Sequence, residues 1–188
     1  MRSVRFAAIA LIALVAFAAR AADTYTGDPV HSSLIFKSTH LNNTSHVYGR
    51  FNGPKSTITV DNGDLASVEA SVETKNVDTG VEKRDNHLRS PDFFNAAEFP
   101  QITFKSTSVK KLGDAKYEVT GDLTVHGVTK SVTATVTKTG ESDDKMMGHR
   151  TGWESTFSLK RSDYGMTKLM GLVGDEVEVT FAVEAAKK

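Results

Sequence analysis

Tyr117 to Val136 reads YEVTGDLTVHGVTKSVTATV, and its apolar residues recur with a period of two. Tyr117, Val119, Gly121, Leu123 and Val125 fall on one face of an extended chain. Val128, Val132, Ala134 and Val136 repeat the pattern beyond His126-Gly127, with threonine and lysine between them. Successive side chains of a strand point to opposite faces, so this alternation predicts two half-buried antiparallel strands joined by a two-residue turn.

The same beat extends in both directions. Leu34 and Phe36, then Ala66, Val68, Ala70 and Val72, precede the stretch; Trp153, Phe157 and Leu159, then Val177, Val179, Phe181 and Val183, follow it. Threonine, valine and phenylalanine dominate these runs, and Asn62-Gly63, Gly113-Asp114 and His126-Gly127 punctuate them, as hairpin turns require. The pattern predicts strands near residues 31–38, 46–60, 65–74, 101–109, 116–125, 128–138, 151–160 and 176–184, the second bending at Gly53-Pro54. The fold class is all-β. About eight such strands close into an antiparallel barrel just wide enough for side chains or one slender ligand, although a two-sheet sandwich would show the same alternation.

One interval departs from the pattern and predicts a short helical insertion near residues 79–97. Thr79-x-x-Glu82 has the form of a capping box, so a helix is expected from about Gly80 to Arg89. Ser90-Pro91 ends it, Asp92-Phe93-Phe94 starts a second short turn, and Phe99-Pro100 returns the chain to a strand. Such pieces have no sheet to continue and are expected across a barrel mouth. Ala185–Lys188 is expected to be a frayed tail.

The first residues read as a targeting segment. Arg2 and Arg5 give a basic start, Phe6–Ala19 is apolar, and Ala19-Arg20-Ala21 has the small-x-small form of a signal-peptidase site. Residues 1–21 are therefore expected to be a signal peptide and 22–188 the mature domain, exported to the periplasm. Met1–Ala21 holds three of the 23 Lys and Arg residues and none of the 23 acidic ones, so the remainder carries a formal net charge of −3. That balance argues against nucleic acid as a partner. The chain has no cysteine, so neither disulfides nor lipid attachment through a cysteine supports it.

Four ordered blocks then carry a resemblance. They are Asp28-Pro29-Val30-His31-Ser32 leading to Phe36, His40 and Gly49-Arg50-Phe51; RDNHLRSPDFF from Arg84 to Phe94, with Phe99-Pro100 and Ile102-Thr103-Phe104; Gly121–Lys130; and Arg161-Ser162-Asp163-Tyr164-Gly165-Met166 with Val173-Gly174-Asp175-Glu176-Val177. Together they cover essentially the whole mature chain, which resembles the YceI-like family of bacterial periplasmic proteins, described as polyisoprenoid-binding and lipocalin-like. The resemblance implies an extended lipocalin-like barrel whose apolar cavity holds a long isoprenoid, a quinone or another amphipathic lipid. It also implies a transient membrane or respiratory partner.

The residues allow the same reading on their own chemistry. Phe36, Phe51, Phe104, Leu123 and Phe157 lie on apolar alternating faces, where they are either plain core or the wall of a cavity. Gly49, Gly121, Ala70 and Ala134 would leave room beside the phenylalanines. Phe93 and Phe94 are adjacent, so one is expected to plug the barrel while the other touches ligand or a partner. Met166 and Met170, in the loop MTKLMGL, suit a pliable lip. Arg84, His87 and Arg89, with Arg161, would face an anionic head group; ion pairs with Asp85 and Asp163 are the alternative.

Signals for catalysis and metal binding are weak. The six histidines include no His-x-His or His-Glu-x-x-His, and no serine stands in Gly-x-Ser-x-Gly. A lipid carrier or sequestering protein is the favoured reading, with no cofactor. A quinone-linked respiratory or stress-related interaction protein comes next, and a hydrolase assembled from distant residues last. Edge pairing would also permit a homodimer.

Overall fold

The computed structural model describes residues 21–188. Except for Ala21, the expected signal segment lies outside the described residues. Among the described residues the strands are β1 (Asp23–Gly27), β2 (Ser33–His40), β3 (Ser45–Phe51), β4 (Lys55–Asp61), β5 (Asp64–Glu73), β6 (Val77–Asp78), β7 (Gln101–Gly113), β8 (Lys116–Val125), β9 (Val128–Asp144), β10 (Gly148–Lys160) and β11 (Val173–Lys187), with one α-helix, α1 (Glu82–Arg89). β1, β4, β5, β7, β8, β9, β10 and β11 pair in that order and β11 returns to β1, closing an eight-stranded antiparallel barrel.

The remaining three strands lengthen the wall. One edge of β11 pairs with β1 at Ala185–Lys187 and with β2 along Val173–Ala182, while β3 joins β2 to β6. Three wall strands are thus each interrupted once, and each interruption has a local cause. Between β1 and β2, Asp28 accepts the Val30 amide at 2.9 Å, an Asx turn around Pro29. The expected single strand over residues 46–60 is two strands, β3 and β4, because Gly53 takes φ 68° ahead of Pro54 and the chain changes neighbours there. Between β5 and β6, a one-turn 3-10 segment at Thr74–Asn76 buries Thr74, whose hydroxyl donates to the Phe99 carbonyl at 2.8 Å.

The predicted hairpins form at Asn62-Gly63 and His126-Gly127, where both residues of each pair have positive φ, as a type I′ turn demands. The third turn lies one residue later than expected: Gly113 pairs with Lys116, and Asp114-Ala115 makes the bend. The expected frayed tail is instead part of β11. Ala185 is fully buried opposite Gly27, and the Lys188 amide donates to the Thr24 carbonyl. β1 escaped the sequence reading because only Tyr25 marks its five residues as apolar.

α1 also begins differently. Val81, not Thr79, is its N-cap, and neither makes a capping box with Glu82. Asp85 reaches back instead, its carboxylate accepting from both the amide and the hydroxyl of Thr79. A buried carboxylate bound to two donors ties the first turn of α1 to the strand before it. Ser90-Pro91 ends the helix as predicted.

Packing is uneven along the barrel axis. At the fully ringed end, Tyr25, Ile58, Tyr117, Trp153, Val183 and Ala185 pack into a solid plug. Towards the other end lie two smaller clusters, one around Leu123, Val125, Tyr164 and Met166 and one around Phe51, Val72 and Val77, with Phe94 touching both. The space between them is not filled.

Candidate functional site

That space is a cavity of about 740 Å³, floored by Val119 at the edge of the plug and walled by β2, β3, β5, β7, β8, β9, β10 and β11. Its volume falls in the range of small-molecule sites. Phe36, Phe51, Phe93, Phe94, Phe104, Leu123, Phe157 and Met166 all line it, as do Arg84 and His87. Met170 does not: it stands at 48% exposure outside the wall, with its sulfur 3.2 Å from an Arg161 nitrogen.

The wall glycines act differently from the sequence expectation. A Cβ on Gly49 would collide with the Phe36 ring across the β2–β3 pair, and one on Gly121 would collide with the Phe104 ring. The glycines therefore hold no empty space; the rings occupy it. By leaning over glycine, each phenyl group lies against the wall and leaves the axis open. Ala70 and Ala134 do face the cavity, as expected of small residues.

Phe93 and Phe94 divide their contacts. The Phe93 ring meets His87 edge-on at 4.9 Å, beneath α1, and the Phe94 ring meets Phe51 edge-on at 5.3 Å. Both reach the cavity, so neither acts solely as a plug.

The mouth opens between α1, the β2–β3 hairpin and the loop before β11, and its lining includes Val81, Lys83, Arg84, His87, His40 and Leu169. Arg84, His87 and Leu88 share a helix face at spacings of three and four residues. Arg89, five positions from Arg84, points elsewhere. It donates to the carbonyls of Lys75 and Val77 and so straps α1 to β6, which removes it from the expected cationic rim. Arg84 does not pair directly with Asp85; it donates to the hydroxyl and carbonyl of Thr79 at 2.7 and 2.9 Å. Among the described residues, no carboxylate lines the cavity.

Arg161 also lines the cavity, at 4% exposure, without an ion pair to Asp163. Its guanidinium donates to the carbonyls of Met166, Lys168, Val173 and Gly174. Burial pushes its pKa down while Asp175 opposes that change. The fork is the hub on which the lip loop is wound. Asp92 then latches this lip to the helix, 2.9 Å from His87 Nε2 and 3.4 Å from Lys168 Nζ. The His87 hydrogen bond, reinforced by Lys168, holds the Asp92 carboxyl below its usual pKa.

Lining residues absent from the sequence prediction include Leu34, Val177, Val179 and Phe181, whose alternation had marked them only as strand. Lys83 and His40 carried no such signal. Outside the barrel mouth, Asp28, His31 and Glu184 bring three ligand-type atoms within 4.8 Å of one another. The Arg150 guanidinium contacts both carboxylates of this group, so the cluster serves as a clamp on the barrel base.

Residues 25–185 match the family model described as a YceI-like domain. The protein YceI of Salmonella newport is 41% identical over 160 residues, covering 84% of this chain and 83% of the relative. Among solved structures, a YceI protein of Campylobacter jejuni aligns with TM-score 0.69 and 28% identity, covering 77% of this chain and 86% of that one. Burkholderia cenocepacia BcnA aligns at TM-score 0.76 with 24% identity, covering 84% and 98%. A polyisoprenoid binding domain from Saccharophagus degradans, implicated in plant cell wall breakdown, aligns at 0.67 with 17% identity, covering 87% and 98%. The last two likenesses concern the fold alone.

Proposed function

The chain belongs to the YceI-like family, and on that footing we propose that it is an exported, periplasmic lipid-binding protein holding one long isoprenoid or similar amphiphile. The observation that carries the reading is the apolar cavity of about 740 Å³ with cationic groups at its mouth and, among the described residues, no carboxylate in its wall. The polyisoprenoid binding domain with the same fold supports it.

The magnitudes agree with a cargo of several isoprene units. At ~30 Å³ per water-sized group, a cavity of about 740 Å³ takes roughly 25 heavy atoms, or about five five-carbon units. Each unit contributes roughly 4 kcal/mol at ~0.8 kcal/mol per buried carbon. Micromolar affinity needs ~8 kcal/mol beyond an association cost of roughly 4–15 kcal/mol, so about three to six units are required. Capacity and requirement meet, and a tail of that size binds without a hydrogen bond. Transport, storage or sequestration of such a lipid are the roles we assign.

Prenyl alcohols of increasing length, titrated into delipidated protein, test this reading. Affinity should climb with each unit and level off at about five units, where the capacity is reached. Absence of binding at micromolar concentration across the series, or affinity independent of length, would refute it.

A further inference from the structure

The mouth carries a feature that holding cargo does not require. Leu41, Val81, Leu169, Met170 and Leu172 are all exposed, between 38% and 49%. They come from the β2–β3 hairpin tip, the residue before α1 and the lip loop, the three elements between which the mouth opens. The Leu41 amide donates to the Leu172 carbonyl at 2.7 Å, and Val81 and Leu169 line the cavity itself. Two of the leucines also occupy left-handed backbone, Leu41 at φ 47° and Leu169 at φ 56°. Asparagine or glycine would adopt that conformation with less strain and expose less apolar surface. Within the isolated molecule both costs go uncompensated.

Charge at the same opening selects the partner. Lys83, Arg84, His87 and His40 line the mouth; among the described residues no carboxylate joins them in the lining, and the neighbouring Asp92 is taken up by His87 and Lys168. An apolar lip backed by cations fits a lipid bilayer with anionic head groups: aliphatic side chains enter the acyl boundary while basic ones meet the surface. We propose that the rim formed by Leu41, Val81, Leu169, Met170 and Leu172 docks the protein mouth-down on an anionic membrane. Cargo then passes between bilayer and cavity without crossing water. The inference rests on the lipid-binding reading of the cavity and adds the surface from which the lipid comes.

Flotation with vesicles of equal parts phosphatidylethanolamine and phosphatidylglycerol tests the surface, and uptake of a fluorescent prenyl alcohol from ethanol tests the cavity separately. The full mature protein should float. Leu41→Asn with Leu172→Asn should cut the bound fraction by roughly tenfold or more, since two exposed leucines outside the cavity lining leave the interface. The same variant should melt no lower than the parent, because both side chains are exposed and asparagine suits the left-handed backbone at Leu41, and it should still take up the alcohol, since neither residue lines the cavity. Replacing phosphatidylglycerol with phosphatidylcholine should weaken flotation.

Wild-type protein that stays with the buffer, or a variant that floats as well as wild type, would overturn the docking surface. A rim that instead buries itself in a second copy, seen as a dimer abolished by the same substitutions without flotation, would also overturn it. Wild-type protein that floats but takes up no alcohol would overturn the cavity reading and leave the docking surface in place.

Discussion

Ala134 lines the cavity from β9, paired with Val119 on β8, and its methyl group faces open space rather than packed neighbours. Ala134→Phe should therefore act in opposite directions on the empty and the loaded protein. A ring added to a filled core forces strain of about 1–3 kcal/mol. Here it enters a cavity of about 740 Å³ and gains part of the ~1.5–3 kcal/mol that burial of a phenylalanine is worth. For a domain of this size each kcal/mol moves the midpoint by about 2–4 °C, so ligand-free protein should melt roughly 2–8 °C higher. The same ring takes the room of about one five-carbon unit of cargo. Losing that unit costs roughly 4 kcal/mol, up to about 1000-fold in Kd. Thermal unfolding of delipidated protein and titration with a prenyl alcohol read the two effects. A variant that melts lower and binds as tightly as wild type would show that the barrel is packed solid at Ala134.

Other perturbations separate the hub, latch and clamp. Arg161→Lys should lower urea stability by about 3 kcal/mol or more, because a single ammonium cannot replace a fork serving four carbonyls; a near-neutral result would contradict the hub role. Asp92 has a lowered pKa, so its latch is present above the ordinary carboxylate range and lost as pH falls through the lowered value. Asp92→Asn should speed lipid exchange at neutral pH and abolish any further acceleration in acid, measured by stopped-flow fluorescence. The Asp28 hydrogen bond raises the pKa of His31 above 6.5, so that contribution is full below this value and disappears as pH rises through the raised one. His31→Gln should flatten the decline of melting temperature above neutrality; an unchanged pH profile would exclude His31 as its source.

The strands were legible wherever one face is apolar and the other polar, as in β8 and β9, because burial on one side writes a period of two into the sequence. β1 and β6 are too short to write it: Tyr25 is a single apolar residue among threonines, and Val77-Asp78 is one pair. The last residues read as tail because Ala185 and Ala186 look like helix or coil until Gly27 is seen opposite them. At the site, the named phenylalanines all reach the cavity, since inward apolar residues of a barrel with a hollow centre must touch that hollow. Of the helix-borne groups, Arg84 and His87 reach the mouth and Arg89 does not. Arg84 and Arg89 are equivalent in composition, and only the helical rotation that sends one to the mouth and the other to Lys75 and Val77 separates them. The role of the glycines was also hidden, because a ring leaning across a strand pair is a property of register rather than of either residue.

The central claim is that this barrel is hollow in order to carry a lipid. Native mass spectrometry of the protein as isolated from cells, followed by organic extraction, tests it most directly. The account predicts a bound species at one per chain whose extract is a long-chain amphiphile with an isoprenoid tail. A protein that flies at its bare mass, and after mixing with polyprenyl phosphates, quinones and fatty acyl amphiphiles still flies at that mass, would contradict it.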